Sequence, residues 1–220
     1  MMKRFFVIAL FVLGFGQLYA QPVRDTAWTK AGYFGLKLTQ VSLSSWSAGG
    51  ESALAFDSQI TYSADFKRDR QLWQNRLELG YGLTKNDGKS ARKTNDKIYF
   101  ASTYGYQIYK TLYWSALLNF NTQFAKGYDY NIEDSDFISK FMAPGYLMIG
   151  TGVTWSPNKI FTATFTPASW RGTIVADSRL SDEGAFGVDK GKHLLSEFGA
   201  NLKAEVNYEF LPNMKVYSRL

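Results

Sequence analysis

The chain has 220 residues, no cysteine and a formal net charge of +6 at pH 7. Without cysteine it is not a disulfide-stabilised scaffold, and so small a net charge does not indicate a nucleic-acid partner. Aromatic residues make up 17% of the sequence although the mean hydropathy is −0.23. This combination is typical of outer-membrane β-barrels, but it also occurs in soluble all-β proteins.

The N-terminus has the three parts of a secretory signal peptide. Two basic residues supply the charged start, residues 5–15 are almost entirely apolar, and Ala20 precedes a polar residue. The apolar run is too short for a stable transmembrane helix. We therefore predict a signal peptide over residues 1–20 and an exported domain over residues 21–220.

Most of the exported domain shows a period-two pattern, in which apolar and polar residues alternate. Between Trp73 and Lys85 this alternation has one exception, Asn75. Period two predicts β-strands with one apolar and one polar face, so we predict an all-β fold. A partial ninth strand begins near Met214 and follows eight predicted strands, at 32–43, 54–66, 73–83, 97–109, 112–124, 146–156, 160–166 and 197–210.

The predicted connections alternate strictly between short and long. Tight turns are expected at 67–71, 110–111, 157–159 and 211–213, and longer loops at 44–52, 84–96, 125–143 and 167–193. In an up-and-down antiparallel barrel this alternation collects every tight turn at one end, which is the periplasmic end of an outer-membrane barrel. We therefore predict a transmembrane β-barrel with its long loops outside. The alternative is a soluble exported barrel that binds an apolar ligand.

In a membrane barrel the apolar residues of each strand face lipid and the polar residues face the lumen. The predicted lipid-facing residues are Trp73, Leu77, Leu79, Tyr81, Trp114, Leu118, Phe198, Leu202 and Val206. The predicted lumen-facing residues are Gln59, Gln74, Arg76, Glu78, Asn119, Asn121, Gln123, Asn201, Lys203 and Glu205. Because the lumen residues carry both charge signs, we expect a self-paired polar interior rather than a strongly selective pore.

The last predicted strand is too short to cross a bilayer, because only Met214 to Leu220 remain after the final turn. Bacterial single-chain barrels also have an even number of strands. We therefore expect that residues 21–220 are a C-terminally incomplete barrel domain. Expressed alone, this chain should aggregate or fail to insert.

Six short motifs follow one another in a recognisable order. They are WSAGG at 46–50, LGYG at 79–82, RKTNDK at 92–97, NFNTQF at 119–124, SKFMAPGY at 139–146 and GAFGVD at 184–189. In this order they resemble an uncharacterised family of Bacteroidota outer-membrane proteins, the domain of unknown function 3078. The resemblance extends from about Thr26 to the end of the chain. It implies a barrel of about twelve strands in the outer membrane and no assigned activity.

Two loops contain residue types that carry chemistry. His193, the only histidine, is close in sequence to Ser196 and Asp189, so a lipid-acting hydrolase or acyltransferase is one hypothesis. A solvated histidine at the end of a loop is the other, and we favour it because spacing alone shows no triad geometry. The weak candidates for a metal site are Asp129, Glu133, Asp134 and Asp136, and this run lacks the glycine and terminal glutamate of an EF-hand loop.

A basic loop offers a contact with anionic lipid. Its cations are Lys85, Lys89, Arg92, Lys93 and Lys97. At the outer surface they would pair with lipopolysaccharide phosphates, although ordinary solubility explains them equally well.

The sequence therefore predicts an outer-membrane β-barrel protein of unassigned role, either binding, structural or small-solute transport, without catalysis and without a cofactor. The expected partners are outer-membrane lipid, lipopolysaccharide and the barrel-assembly machinery during insertion. No nucleic acid is expected, and the oligomeric state and ligand are left open.

Overall fold

The computed structural model describes residues 27–43, 51–132, 136–158, 160–212 and 214–219. The predicted signal peptide and the WSAGG motif lie outside these residues. None of the helices described is long and apolar enough to cross a membrane.

Nine long or medium strands form one sheet, and two short strands form a separate hairpin. The large sheet contains β1 (Trp28–Val41), β2 (Ala53–Arg68), β3 (Gln71–Asn86), β4 (Arg92–Tyr109), β5 (Leu112–Thr122), β8 (Gly145–Trp155), β9 (Phe161–Ile174), β10 (Leu194–Leu211) and β11 (Met214–Arg219). The hairpin consists of β6 (Gly127–Tyr128) and β7 (Phe137–Ser139). Helix α1 (Ser178–Asp182) and a 3₁₀ turn (Ala185–Gly187) lie between β9 and β10.

Every strand of the large sheet pairs antiparallel with the next one along the chain. The predicted all-β, up-and-down order of eight strands and a short ninth is therefore confirmed. Within the described residues β1 and β11 are the two edges of the sheet and do not pair with each other. A closed barrel is thus not observed, and the transmembrane barrel stays a prediction.

Two predicted loops are shorter in the structure, because strands extend into them. β3 and β4 continue into the segment 84–96 and leave only 87–91 as their connection. Residues such as Asn86, which suggest a turn by composition, pair here with Ala53 of β2. β9 continues to Ile174, well beyond the predicted end at Thr166. Its alternation shifts at a bulge beside Pro167, so the period-two pattern ends there although pairing with β8 and β10 resumes.

The pairing register collects the side chains of all strands into two faces. On the apolar face, Ile60 of β2 is opposite Leu79 of β3, which is opposite Ile98 of β4. Leu118 of β5 and Ile149 of β8 continue the same face. We call the opposite side the polar face. The predicted lipid-facing residues all lie on the apolar face. Nine of the ten predicted lumen-facing residues lie on the polar face, and Gln123 lies just beyond the end of β5.

Burial is reversed between these faces relative to a water-soluble protein. Side by side in β5, Trp114 is 44% exposed on the apolar face while Ser115 is 2% exposed on the polar face. In β9, Phe165 is 47% exposed and the adjacent Thr166 is fully buried. Residues on the inside of a curved sheet crowd together, so this difference indicates that the sheet curves toward its polar face.

Glycines on the polar face permit this crowding. A Cβ at Gly152 would lie 2.0 Å from the carbonyl oxygen of Phe165, and one at Gly150 would lie 2.6 Å from Thr166 Cγ2. Only glycine therefore allows the β9 bulge to approach β8 this closely. At Gly82 a Cβ would lie 2.6 Å from Asp57 Oδ2, so the Asp57 side chain would have to move to admit one.

The buried apolar core lies in the loops rather than in the sheet. Among the described residues, the buried hydrophobic side chains are Ala143, Val175, Leu180 and Val188. Phe137, Ala185, Phe186 and Leu195 pack against them. We call the unit formed by residues 137–144 and 175–193 the loop cap.

Candidate functional site

The polar face of β2, β3 and β4 carries a connected group of charged and amide side chains. Glu78 accepts a hydrogen bond from Arg76 Nε at 2.5 Å and another from the Lys97 ammonium of the neighbouring strand. Asn95 donates to Asp57 Oδ2 at 3.0 Å, above the space left by Gly82. Both carboxylates in this group accept a hydrogen bond, and the Glu78 carboxylate is also paired with two cations.

Charge pairs also cross the other half of the polar face. Arg171 of β9 contacts Glu197 of β10 at 2.8 Å, and Lys203 contacts Glu205 at 3.0 Å. Between the two charged regions the polar face bears hydroxyl groups. Ser115 donates to Thr154 Oγ1 at 2.8 Å, and the Thr154 and Thr164 hydroxyls are 3.0 Å apart. The expected self-paired polar surface therefore has structural support in these contacts, although which solvent it meets stays a prediction.

The loop cap is tied together across its two segments. Lys140 forms an ion pair with Asp177 at 2.5 Å, and the Ala176 amide donates to Met142 O at 2.9 Å. The Ser181 hydroxyl donates to Lys192 O at 2.7 Å. Arg179 lies over the Phe137 ring at 4.5 Å and donates to the carbonyl of the same residue. These contacts join two connections that are separated in sequence by β8 and β9.

Asp177 has two roles in the loop cap. Its Oδ1 accepts the Leu180 amide at 3.0 Å, which caps the N-terminus of α1, and its Oδ2 accepts from Lys140. The Lys140 ammonium, followed by the Leu180 amide, holds the pKa of Asp177 below its ordinary value. The charged carboxylate is therefore the form that the folded cap favours.

His193 and its sequence neighbours are not joined in the structure. His193 Nδ1 is 2.7 Å from Val175 O, and because a carbonyl only accepts, this nitrogen is the donor. Asp189 pairs with Lys192 at 2.9 Å, which lowers the pKa of Asp189 and raises that of Lys192. Ser196 lies on the apolar face and accepts from the Trp170 indole at 3.3 Å. A lipid-acting enzyme stays a hypothesis, and these contacts do not assemble a triad for it.

The acidic run is only partly described. Asp129 accepts from the backbone and side-chain nitrogens of Asn131, each at 3.0 Å. Asp136 is exposed, and Glu133 and Asp134 lie outside the described residues. Within the part of the chain that is described, no three acidic, histidine or cysteine side chains gather closely enough to hold a metal ion.

The predicted basic loop is not a uniform solvated patch. Lys97 belongs to the polar-face group, and Lys89 contacts Glu51 at 2.7 Å and lowers the pKa of that carboxyl. Lys93 pairs with Asp96 at 2.6 Å, and the Asp96 side chain is only 3% exposed. Sequence reasoning missed this buried pair, because a run of polar residues between two strands gives no sign of burial.

The comparison with known families finds a match in the N-terminal half of the sheet. Residues 38–128 match the model of a family described as a protein of unknown function (DUF3078). The predicted resemblance to DUF3078 is confirmed, whereas the outer-membrane location and the Bacteroidota source that it implied stay predictions. The DUF3078 match is shorter than the resemblance suggested, since it runs from β1 to β6 and ends before the loop cap. It includes the polar-face group of β2 to β4. Searches of curated proteins and of solved structures found no match.

Proposed function

We propose that the nine-stranded sheet is the wall of an outer-membrane β-barrel, with its apolar face against lipid and its polar face lining the lumen, in a non-catalytic binding, structural or solute-transport role. The observation that carries this proposal is the reversed burial. Phe198 is 82% exposed while hydroxyl side chains on the other face are buried. In water this arrangement exposes a large apolar surface, which soluble proteins avoid. A hydrocarbon environment removes that cost.

Hydrocarbon offers polar groups no hydrogen-bond partners, so a polar side chain that faces lipid must bond to the protein itself. Several polar side chains on the apolar face do this. Asn75, the exception in the alternation, donates to Ala64 O at 3.1 Å and accepts from the Ser102 hydroxyl at 2.8 Å. Ser102 in turn accepts from the Trp73 indole at 2.8 Å. Ser58 likewise donates to Tyr81 O at 3.1 Å. These side chains are satisfied without water.

An aromatic row at the tight-turn end of the apolar face is typical of a membrane interface. Trp28 lies 5.3 Å from Phe66 and 5.7 Å from Trp73 between ring centroids. Further along the row, Tyr104 lies 6.4 Å from Trp114, and Trp155 lies 5.6 Å from Phe161. From Trp73 to Leu83 the strand advances about 33 Å. At a tilt of about 40° this covers about 25 Å, the usual height of the apolar band.

The soluble barrel with an apolar ligand fits these observations less well. Such a barrel needs an apolar concave face, whereas the more buried face here carries Glu78, Ser115 and Thr166. The paired charges on this face favour a narrow lumen with little ion preference over an open selective pore.

Cell fractionation tests the proposal. The full-length protein, not residues 21–220 alone, is expressed with its N-terminal segment in a Gram-negative host, and the envelope is washed with alkaline carbonate before detergent extraction. We expect the protein in the outer-membrane fraction, released only by detergent. Recovery in the soluble periplasmic fraction would contradict the proposal. Conductance measurements in planar bilayers then separate a transport role from a binding or structural one.

A further inference from the structure

A cleft opens where the apolar face meets the long loops. Its volume is about 780 Å³. Residues 88–93 form one wall and residues between 126 and 132 form the other, while Tyr81 and Leu83 of the apolar face lie at its base. We call it the loop cleft. Leu79 precedes Tyr81 by two residues on the same face, so the cleft continues directly into the apolar surface.

The walls of the loop cleft are fixed to each other by a buried ion pair. Asp96 accepts from the Phe124 amide at 2.7 Å and from the Ala125 amide at 3.0 Å. Its partner Lys93 also donates to Ala125 O at 2.9 Å. The backbone amide of Lys93 donates to the Tyr130 hydroxyl at 2.8 Å. These contacts hold the second wall of the cleft against β4.

The lining carries four cations, Lys89, Arg92, Lys93 and Lys126, and one carboxylate, Asp129. Lys89 and Lys93 are neutralised by Glu51 and Asp96. Arg92 and Lys126 form no ion pair with any described carboxylate.

Arg92 is held in place by neutral groups. Its guanidinium lies 5.3 Å from the centre of the Tyr130 ring, and one terminal nitrogen donates to Tyr130 O at 3.4 Å. Its Nε is buried and has no hydrogen-bond partner within the described chain. Lys126 is exposed, with its ammonium 4.7 Å from the Phe137 ring centre.

We propose that the loop cleft binds the phosphate-bearing headgroup of a lipid, with the phosphate between Arg92 and Lys126. A phosphate accepts several charge-assisted hydrogen bonds, which is what a guanidinium and an ammonium offer. Tyr81, Tyr128 and Tyr130 give the rest of a headgroup both aromatic surface and hydroxyl groups. The acyl chains then lie along Leu79 and Leu77. This inference rests on the proposed membrane location, which sets the cleft at the level of the headgroups.

Calorimetric titration of the protein in dodecyl maltoside micelles tests the site. The probes are dihexanoyl phosphatidic acid, dihexanoyl phosphatidylcholine and inorganic phosphate. We expect phosphatidic acid to bind most tightly. Lys126→Gln should weaken its binding about tenfold and Arg92→Gln with Lys126→Gln about a hundredfold, since each substitution removes a charged donor. Because Lys126 is exposed, its substitution alone leaves the fold intact and keeps the test informative.

The matched control is Arg68→Gln with Lys110→Gln. It removes the same charge from the tight-turn end of the sheet, where both residues are exposed. Its affinity for phosphatidic acid should be unchanged. The proposed site would be wrong if the control lost as much affinity for phosphatidic acid, or if the Arg92 and Lys126 variants lost none. Equal affinity for inorganic phosphate and phosphatidic acid would overturn the lipid as the source of the phosphate. Failure of the membrane proposal is detected separately, by fractionation without any ligand.

Discussion

The nine-stranded sheet and the loop cap differ in where their apolar side chains lie. In the cap, Val175 and Leu180 are buried and ion pairs such as Arg179 with Glu183 lie at the surface, as in any globular protein. In the sheet, tryptophan and phenylalanine side chains are exposed, and serine and threonine are buried. One chain therefore uses two opposite rules of burial.

Under the proposed membrane location, this difference arises because the two regions meet different solvents. The hydrophobic effect places apolar groups away from water, so the cap has the organisation expected in water. The sheet has the organisation expected where its outer surface meets hydrocarbon. The boundary lies near Tyr81 and Asp96, where the charged Asp96 on the apolar side of β4 is paired with Lys93 and is almost completely buried.

The largest expected effect tests the apolar face directly. Leu79→Arg places a charge near the middle of the proposed membrane-spanning band and should cost about 2–4 kcal/mol. We expect loss of outer-membrane insertion, measured by heat modifiability on gels and by protease resistance. The control is Gln59→Arg on the polar face, opposite Gly80, which should insert normally. Equal insertion of both variants would show that the faces are assigned wrongly.

Replacing a leucine with alanine in each region compares how much its side chain contributes to stability in the loop cap and in the sheet. Leu180→Ala removes a side chain from the core of the loop cap and should lower its stability by about 2 kcal/mol, because it leaves a cavity. Leu202→Ala removes an exposed side chain from the apolar face and should cost well under 1 kcal/mol in detergent. Hydrogen exchange of amides in residues 175–193 measures the first effect, and thermal unfolding of the sheet measures the second. A larger loss of stability for Leu202→Ala than for Leu180→Ala would contradict the opposite burial of the two regions.

Glycine substitutions test the crowding on the polar face. Gly152→Ala should destabilise the sheet by about 1–3 kcal/mol, because its Cβ would meet the backbone of Phe165. Gly199→Ala is the control, since nothing lies within 4 Å of its Cβ position. Thermal unfolding in micelles should separate the two variants by several degrees. Similar melting temperatures would mean that β9 does not approach β8 as closely as described.

The strand order and the two faces were predictable from sequence because each depends on local pattern. A side-chain period of two is preserved along β2, β3 and β10, so their faces follow from residue numbers alone. β9 shows where this fails. Its bulge beside Pro167 moves the apolar positions from Phe165 to Ala168 and Trp170, and a shifted alternation looks like the end of a strand.

The loop cap was not predictable for a different reason. Its core residues Ala143, Val175, Leu180 and Val188 come from two connections and have no common period. Its contacts depend on β8 and β9 bringing the connections together. The loop cleft was not predictable for the same reason. In the sequence Asp96 is one polar residue among several, and only the fold brings the Phe124 and Ala125 amides into contact with it.

The smallest expected effect concerns the ion pair of the loop cap. The pKa of Asp177 is lowered in the folded protein, mainly by Lys140, so the carboxylate stabilises the cap above its unfolded pKa of about 3.9. This contribution is lost as the pH falls through the lower pKa of the folded state. Limited proteolysis in residues 175–193 measures the effect, with a neutral protease at pH 7 and an acid-active protease at about pH 3.

Asp177→Asn separates the charge from the helix cap. Asparagine still accepts the Leu180 amide, so it keeps the N-cap and removes only the ion pair with Lys140. We expect the variant to be cleaved somewhat faster than the wild type at pH 7. Its cleavage rate should increase less than that of the wild type when the pH is lowered. Asp189→Asn is the control, because its pair with Lys192 is exposed and contributes little. If the Asp177 and Asp189 variants respond alike, the ion pair between Lys140 and Asp177 does not contribute measurably to the stability of the cap.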